Sequence, residues 1–335
     1  MVLVTGGTGL VGAHLMLHLL KNNTTVRATY RKGSNLKQVE KVFSYYTKEA
    51  SELYNKIEWV LADINDIPAL EIAFQNVDYV YHAAALISFD PRDYYKLKKA
   101  NILGTENIVN LCLSHSVKKL CYVSTIGAIG KSTEGQMATE ENDWSNQDVN
   151  VYALTKYRAE MEVWRGSQEG LDIVIVNPGL ILGPGFWDTG SGALFNIAQK
   201  AKDYYPPGGT GFITVNDVIQ MMTELMASDI VNQRFIAVTE NITYKDILTR
   251  LAIALGKKPP SKMLRLWQLK LGRLIDFLKS LTTGSKRRVT RKTIESLLHP
   301  ETYDNRKIVD AIGFQFEPLQ ATIAFCCEKF KEENP

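Results

Sequence analysis

The chain has 335 residues, 45% of them hydrophobic and 22% charged, and a net charge of +3. That length exceeds one typical domain and falls short of three, and the composition is ordinary for a globular enzyme with a sizeable core. Four cysteines without a C-x-x-C pair, five histidines without ligand spacing and no bilayer-length apolar run argue against a disulfide framework, a metal centre and a membrane span.

The chain opens on MVLVTGGTGLVG. Val2-Leu3-Val4 reads as a buried strand. With a strand starting there, no signal peptide is expected, and the expected location is a reducing cytoplasm. Leu10, Val11, Leu15, Leu17 and Leu19-Leu20 read as the apolar positions of a helix ending near Lys21. Gly6, Gly9 and Gly12 lie three apart in the turn between strand and helix. Such a turn lets the backbone approach a ligand and packs helix closely on strand. The free N–H groups and dipole of the helix start suit a phosphate.

Residues 24–32, 57–64, 77–85, 118–125 and 171–179 read as further strands, with helical period at 35–48, 67–74, 94–115 and 152–168. The alternation predicts an α/β fold with a doubly wound parallel (Rossmann) sheet and ligands at the carboxyl ends of its strands. From residue 182, glycine and proline punctuate ILGPGFWDTGSG and YYPPGGTG as loops. A helix at 215–227 and a strand at 234–238 return to the sheet, and 243–330 reads as mainly helical. The expected division is a cofactor-binding domain of residues 1–181 and 215–240, and a smaller substrate-binding cap of 182–214 and 241–335.

Tyr152 and Lys156 sit one helical turn apart in VYALTKYRAE. A phenol is a poor acid–base at neutral pH unless a cation stabilises its anion, which a lysine there supplies. That lysine also suits a cofactor ribose. Three strand ends add to the pair: Ser124-Thr125 offer hydroxyls to a carbonyl, Ala83-Ala84-Ala85 let a ribose approach, and NPG at 177–179 falls where a nicotinamide would lie.

On these elements the sequence resembles the extended short-chain dehydrogenases/reductases, the NAD(P)-dependent epimerase/dehydratase superfamily. The matching segments are TGGTGLVG, ADI, HAAA, NILGTENIV, YVST, the Tyr152/Lys156 pair, NPGLILGPG, GFITVNDV and YDNRKIVDAIGFQFEPL. The resemblance implies Tyr152 as general acid–base, Lys156 as its pKa-lowering and ribose-binding partner, and Thr125 as the carbonyl-positioning hydroxyl, with Ser124 able to substitute. The implied cofactor set is Gly6, Thr8, Gly9, Leu10, Val11, Arg31, Lys32, Asp63, Ile64, Ala83, Ala84, Ala85, Asn101, Tyr152, Lys156, Pro178, Gly179 and Leu180. Within it, Asp63 and Ile64 face adenine and Pro178 to Leu180 the nicotinamide, while Asn101 serves either the cofactor or helix packing.

After the second strand the sequence reads ATYRKGSN, with no acid until Glu40. Arg31 there suits stacking on adenine and pairing with a 2′-phosphate, so NADP(H) is expected, with NAD(H) the alternative. The sequence looks most like the dihydroflavonol-reductase and 3β-hydroxysteroid-dehydrogenase branch, which implies hydride transfer between cofactor and a small, fairly apolar carbonyl or alcohol. Phe89, Phe186 and Trp187 would suit such a substrate, with core packing the default for any single aromatic. A nucleotide-sugar epimerase/dehydratase is the alternative, and a non-catalytic NADP-sensing module a second.

Residues 257–292 hold twelve Lys/Arg and one acid, Asp276. Within them a Leu/Trp stripe alternates with cations, as on an amphipathic helix. Two readings stand: a lid on the substrate pocket, or peripheral docking on an anionic membrane. Nucleic acid is not expected, since no reading module accompanies the charges. A homodimer is an open option.

Overall fold

The β-branched and aromatic runs read as strands do pair. In the computed structural model, which describes residues 1–132, 136–146, 149–283, 287 and 289–334, they form β1 (Val2–Thr5), β2 (Val26–Tyr30), β3 (Glu58–Leu61), β4 (Tyr79–His82), β5 (Lys119–Val123), β6 (Ile173–Pro178) and β10 (Gln233–Ala237). Their order is β3-β2-β1-β4-β5-β6-β10, parallel throughout. Val2 pairs with Val26 on one side and Tyr79 on the other. The winding direction therefore reverses beside β1, which opens a crevice at the carboxyl edge there.

Alternate residues of each strand feed opposite faces. Val2 and Val4 join α1 (Leu10–Lys21), α2 (Leu36–Ser44) and α9 (Val215–Ala227) in one core. Leu3, Val80 and Ile175 join α4 (Ile67–Ala73), α6 (Gly104–Ser114) and α7 (Val151–Gln168) in the other. A short helix not foreseen from the sequence, α3 (Ala50–Asn55), packs beside α2. The region read as one helix from 94 to 115 is α5 (Tyr94–Leu97), a wider π turn over Lys98–Leu103, and α6. Such turns rotate a side chain off the regular helix face.

Beyond the sheet, α8 (Ala193–Gln199), α10 (Tyr244–Ala254) and α14 (Leu319–Glu333) enclose a third core around Trp187, Phe195, Leu251 and Phe330. Residues 244–333 are mainly helical as expected, while strands stand where loops were read before them. β7 (Leu180–Leu182), β9 (Gly209–Thr214) and β11 (Glu240–Thr243) form a three-stranded sheet. Glycines made β9 read as loop, yet they are what its packing needs: a Cβ on Gly209 would lie 2.6 Å from the Ile242 carbonyl oxygen. The segment assigned to the cap near 306–316 differs too. Ile308 of α13 (Arg306–Ile312) and Phe314 pack in the first sheet core.

β8 (Tyr204–Tyr205) pairs with β12 (Lys262–Met263), which leads into α11 (Leu266–Thr283) and then α12 (Arg291–Leu298). Lys286 and Arg288 of the basic segment lie outside the described residues.

Candidate active site

The glycine turn crosses from β1 to α1 with Gly6 at φ +75°, the left-handed region that favours glycine. A Cβ on Gly6 would fall 2.6 Å from the Ala84 nitrogen, and one on Gly12 would fall 2.2 Å from the Gly6 carbonyl oxygen. The small residues after β4 therefore serve first to let the turn lie against them. Ala83 and Ala84 are half-buried under it and Ala85 is exposed. Gly9 is different, because a Cβ there meets only the Gly6 oxygen, at 3.4 Å. Its outer side is open.

Gly9 is also the cap residue of α1 and provides no side-chain hydrogen bond, whereas Asn150, Thr214 and Thr243 cap α7, α9 and α10. The first N–H groups of α1, with Thr8, Leu10 and Val11 half-buried around them, are thus left for an anion. Gly9→Ala should keep the fold within about 1 kcal/mol while weakening dinucleotide binding. Gly12→Ala should destabilise by about 1–3 kcal/mol through overpacking. Paired unfolding and cofactor titrations check this, and a fold equally damaged by both would refute an open Gly9.

α7 starts at its Asn150 cap, with Asn150 Oδ1 accepting the Ala153 amide at 2.8 Å, and presents Tyr152, Lys156 and Glu160 at four-residue spacing. Tyr152 meets Phe89 edge-on, with ring centroids 5.9 Å apart. Burial pushes the Tyr152 phenol up to about 12. Lys156 donates to the Tyr122 hydroxyl at 2.6 Å and to the Val123 carbonyl at 2.8 Å. Its ammonium lies 4.1 Å from the centre of the Tyr122 ring. Burial pushes Lys156 down to about 7, with Glu160 opposing.

Ser124 and Thr125 part company. The Ser124 hydroxyl donates to Glu160 Oε2 at 2.5 Å, so its proton is committed, and the expectation that it could substitute at a carbonyl is corrected. Thr125 Oγ1 accepts from the Gly127 amide at 3.2 Å, an arrangement that keeps its own proton for an outside acceptor. A Cβ on Gly127 would lie 3.2 Å from the Ala153 Cβ and 3.5 Å from the Thr125 Cγ2. The Thr125 turn thus touches α7 next to Tyr152.

Glu160 and Tyr122 are the residues that the sequence reading missed. Glu160 is fully buried and also accepts from Asn177 Nδ2 at 2.9 Å and Arg234 at 3.1 Å. The available signal was a carboxylate one turn beyond Lys156 on the same helix face. Tyr122 meets the His82 ring at a tilt, with centroids 5.4 Å apart, and His82 bridges Thr5 at 2.6 Å and Thr105 at 2.9 Å. Nothing local distinguished it from a core aromatic.

At the adenine end, Arg31 and Lys32 are exposed after β2. Burial opposes it, but hydrogen bonds from Asn65 and the charges of Arg31 and Lys99 hold the Asp63 carboxyl below its usual value. Ile64 is buried against Gly104, where an added Cβ would lie 2.5 Å from its Cδ1, and its carbonyl accepts from Asn107 at 3.0 Å. Its amide has no partner among the described residues and suits a ligand acceptor. Asn101 likewise departs from a direct cofactor contact. From the π turn its amide pins Leu86 N at 2.8 Å, Leu86 O at 3.1 Å and Thr155 Oγ1 at 3.1 Å. It holds the loop after β4 against α7.

At the other end, Pro178 closes β6 and Gly179 passes close to β9, where a Cβ would lie 2.3 Å from the Gly211 oxygen. Leu180 then pairs with Phe212 in the small sheet. Trp187 is corrected from substrate wall to core, because its ring packs on Phe195 and Phe330. Phe186 packs partly buried on the first sheet core, while Phe89 stays exposed at the rim.

A model of the NAD dependent epimerase/dehydratase family matches residues 2–237. A Synechocystis protein named "Putative dihydroflavonol 4-reductase" is 29% identical over 99% of this chain and 94% of its own length. Cinnamoyl-CoA reductase 1 of Petunia hybrida is 27% identical over 61% of this chain and 62% of its own. The solved UDP-glucose 4-epimerase of Thermotoga maritima, with UDP-glucose, superposes with a TM-score of 0.76 at 21% identity, covering 100% of this chain and 99% of that one. At that identity it shows a shared fold.

Proposed function

The chain belongs to the NAD dependent epimerase/dehydratase family and is an enzyme of NAD(P)-linked chemistry; on that premise we propose that it reduces the carbonyl of a small, fairly apolar substrate, or runs the reverse reaction, with NADP(H). The observation that carries the reading is the half-buried Tyr152 on α7, next to the turn that holds Thr125, whose hydroxyl donates to no partner among the described residues. The reductase names of the relatives support it.

The turn geometry fits a dinucleotide, since the open side of Gly9 lies at the uncapped start of α1. When bound, the nicotinamide supplies or accepts the hydride. Tyr152 gives its proton to the carbonyl oxygen, and Thr125 donates a hydrogen bond to that oxygen and fixes its position. Lys156, steadied by Tyr122 and Val123, places positive charge one turn away in its protonated form, which favours the phenolate left after proton transfer. It also holds the ribose. Pro178 to Leu180 form the wall beside the nicotinamide, and Phe89 closes the apolar rim.

Arg31 selects NADP(H) by pairing with the 2′-phosphate. A charge-assisted contact of this kind contributes about 1.5–3 kcal/mol, or roughly ten- to a hundredfold in affinity. Arg31→Ala should lose that much for NADPH and little for NADH in direct titrations. Equal losses for both would remove Arg31 as selector. Turnover of NADPH with a panel of aryl and alkyl carbonyls tests the activity itself, and no turnover with any of them would contradict it.

A further inference from the structure

The helix that carries the basic segment is built inside out. On the side of α11 facing the body, Leu269 and Ser280 are its buried residues, at 7% and 2% exposure. Around them the contacts are polar. Ser280 Oγ donates to the Phe277 carbonyl at 2.8 Å and accepts from Arg287 Nε at 3.4 Å, and the Asp276 carboxylate accepts the Val289 amide at 3.0 Å. The opposite side bears Trp267, Leu271, Leu274, Ile275, Leu278 and Leu281, all exposed, Trp267 at 59% and Leu281 at 63%. At 3.6 residues per turn these six fall within roughly a third of the circumference, centred opposite Leu269 and Ser280.

A cap helix in water turns its apolar stripe inward. Here the stripe is turned away from the molecule, a contiguous apolar face of the kind that marks an interaction surface. Its charges say what covers it. Lys270 and Lys279 border the stripe on its two sides, Arg273 lies next to the body, and none of the three has an ion pair among the described residues. A second copy would bring two strongly basic faces together, whereas an anionic lipid surface satisfies the stripe and the cations at once.

We propose that α11 is an in-plane docking helix for an anionic phospholipid bilayer, with its Leu/Trp stripe at the headgroup–acyl boundary and Lys270 and Lys279, which border the stripe, among the phosphates. None of the described helices is long and apolar enough to cross a membrane. α11 lies on the surface. Docking also has a consequence for the active site. The Arg287 amide beyond α11 donates to Asp90 Oδ2 at 2.8 Å, and Asp90 follows Phe89, the residue against Tyr152. The docked helix therefore leads to the loop at the cleft mouth.

The test is co-sedimentation of the full chain with vesicles of phosphatidylcholine alone and with added phosphatidylserine, at low and high salt. Binding to the serine-containing vesicles at low salt is expected, with a blue shift of tryptophan emission that Trp267→Phe removes. At 1 M salt, where the Debye length is roughly 3 Å, binding should fall at least tenfold. The double variant Leu271→Glu, Leu278→Glu should abolish binding and keep the wild-type unfolding midpoint, since both side chains face outward. Neither readout depends on catalysis, so the docking and the carbonyl chemistry stand or fall separately. No binding at low salt, equal binding to neutral vesicles, or a double variant that still sediments would overturn the proposal. So would conversion of a dimer to a monomer by the double variant without any vesicle binding, which would assign the face to a second copy.

Discussion

Tyr152→Phe is expected to lower kcat by roughly 10²–10⁴-fold, the usual contribution of a positioned proton donor, with cofactor affinity nearly unchanged. Only the phenolic oxygen is lost. The ring keeps its edge-on contact with Phe89, and the lysine keeps its own bonds to Tyr122 and Val123. The pH dependence carries a sign. Burial pushes Tyr152 up to about 12, so at neutral pH the group is the protonated donor that reduction requires. Oxidation of the alcohol requires the phenolate and should rise as pH climbs toward that value, while reduction should not. Steady-state rates in both directions across pH, for wild type and variant, check this. A variant with near-normal kcat would end the acid–base assignment.

The second large effect concerns stability. Glu160→Ala is expected to cost about 3–5 kcal/mol, the range for removing one partner of a buried ion pair. The carboxylate is fully buried and takes bonds from Ser124, Asn177 and Arg234. Its loss strands the Ser124 hydroxyl and leaves the Arg234 guanidinium with the Glu140 carbonyl and Asn177 with the Thr125 carbonyl. Urea unfolding with an unchanged m value would isolate the stability term. A cost below about 1 kcal/mol would show that water replaces the carboxylate freely, against the burial described here.

The strands and the parallel sheet were readable because each strand is a short apolar run between helical periods, and α9 fell where its apolar spacing put it. Tyr152, Lys156 and the glycine turn were readable for a similar reason: their chemistry is local, set by spacings of three and four residues. What escaped depends on packing across the chain. β9 read as loop because its glycines answer to Ile242 and Val238 across the fold. Ser124 and Thr125 are neighbours of like chemistry. Their roles separate only through a carboxylate on α7, thirty-six positions away from Ser124. Asn101 read equally as a cofactor contact or a packing residue, and the π turn shows its amide spent on Leu86 and Thr155. For 257–292 the periodicity gave an amphipathic helix without saying which side faces water, since orientation belongs to the contacts of Asp276, Ser280 and Arg287.

The proposed reaction is net hydride transfer to an apolar carbonyl with Tyr152 as the proton donor. The most direct measurement supplies NADPH deuterated at the transferring C4 position, offers carbonyl substrates beside UDP-sugars, and follows products by mass spectrometry. One deuterium on the new carbinol carbon, matched mole for mole by oxidised cofactor and lost in Tyr152→Phe, is the expected result. Interconversion of a UDP-sugar with no net consumption of cofactor, and no labelled alcohol from any carbonyl, would contradict it.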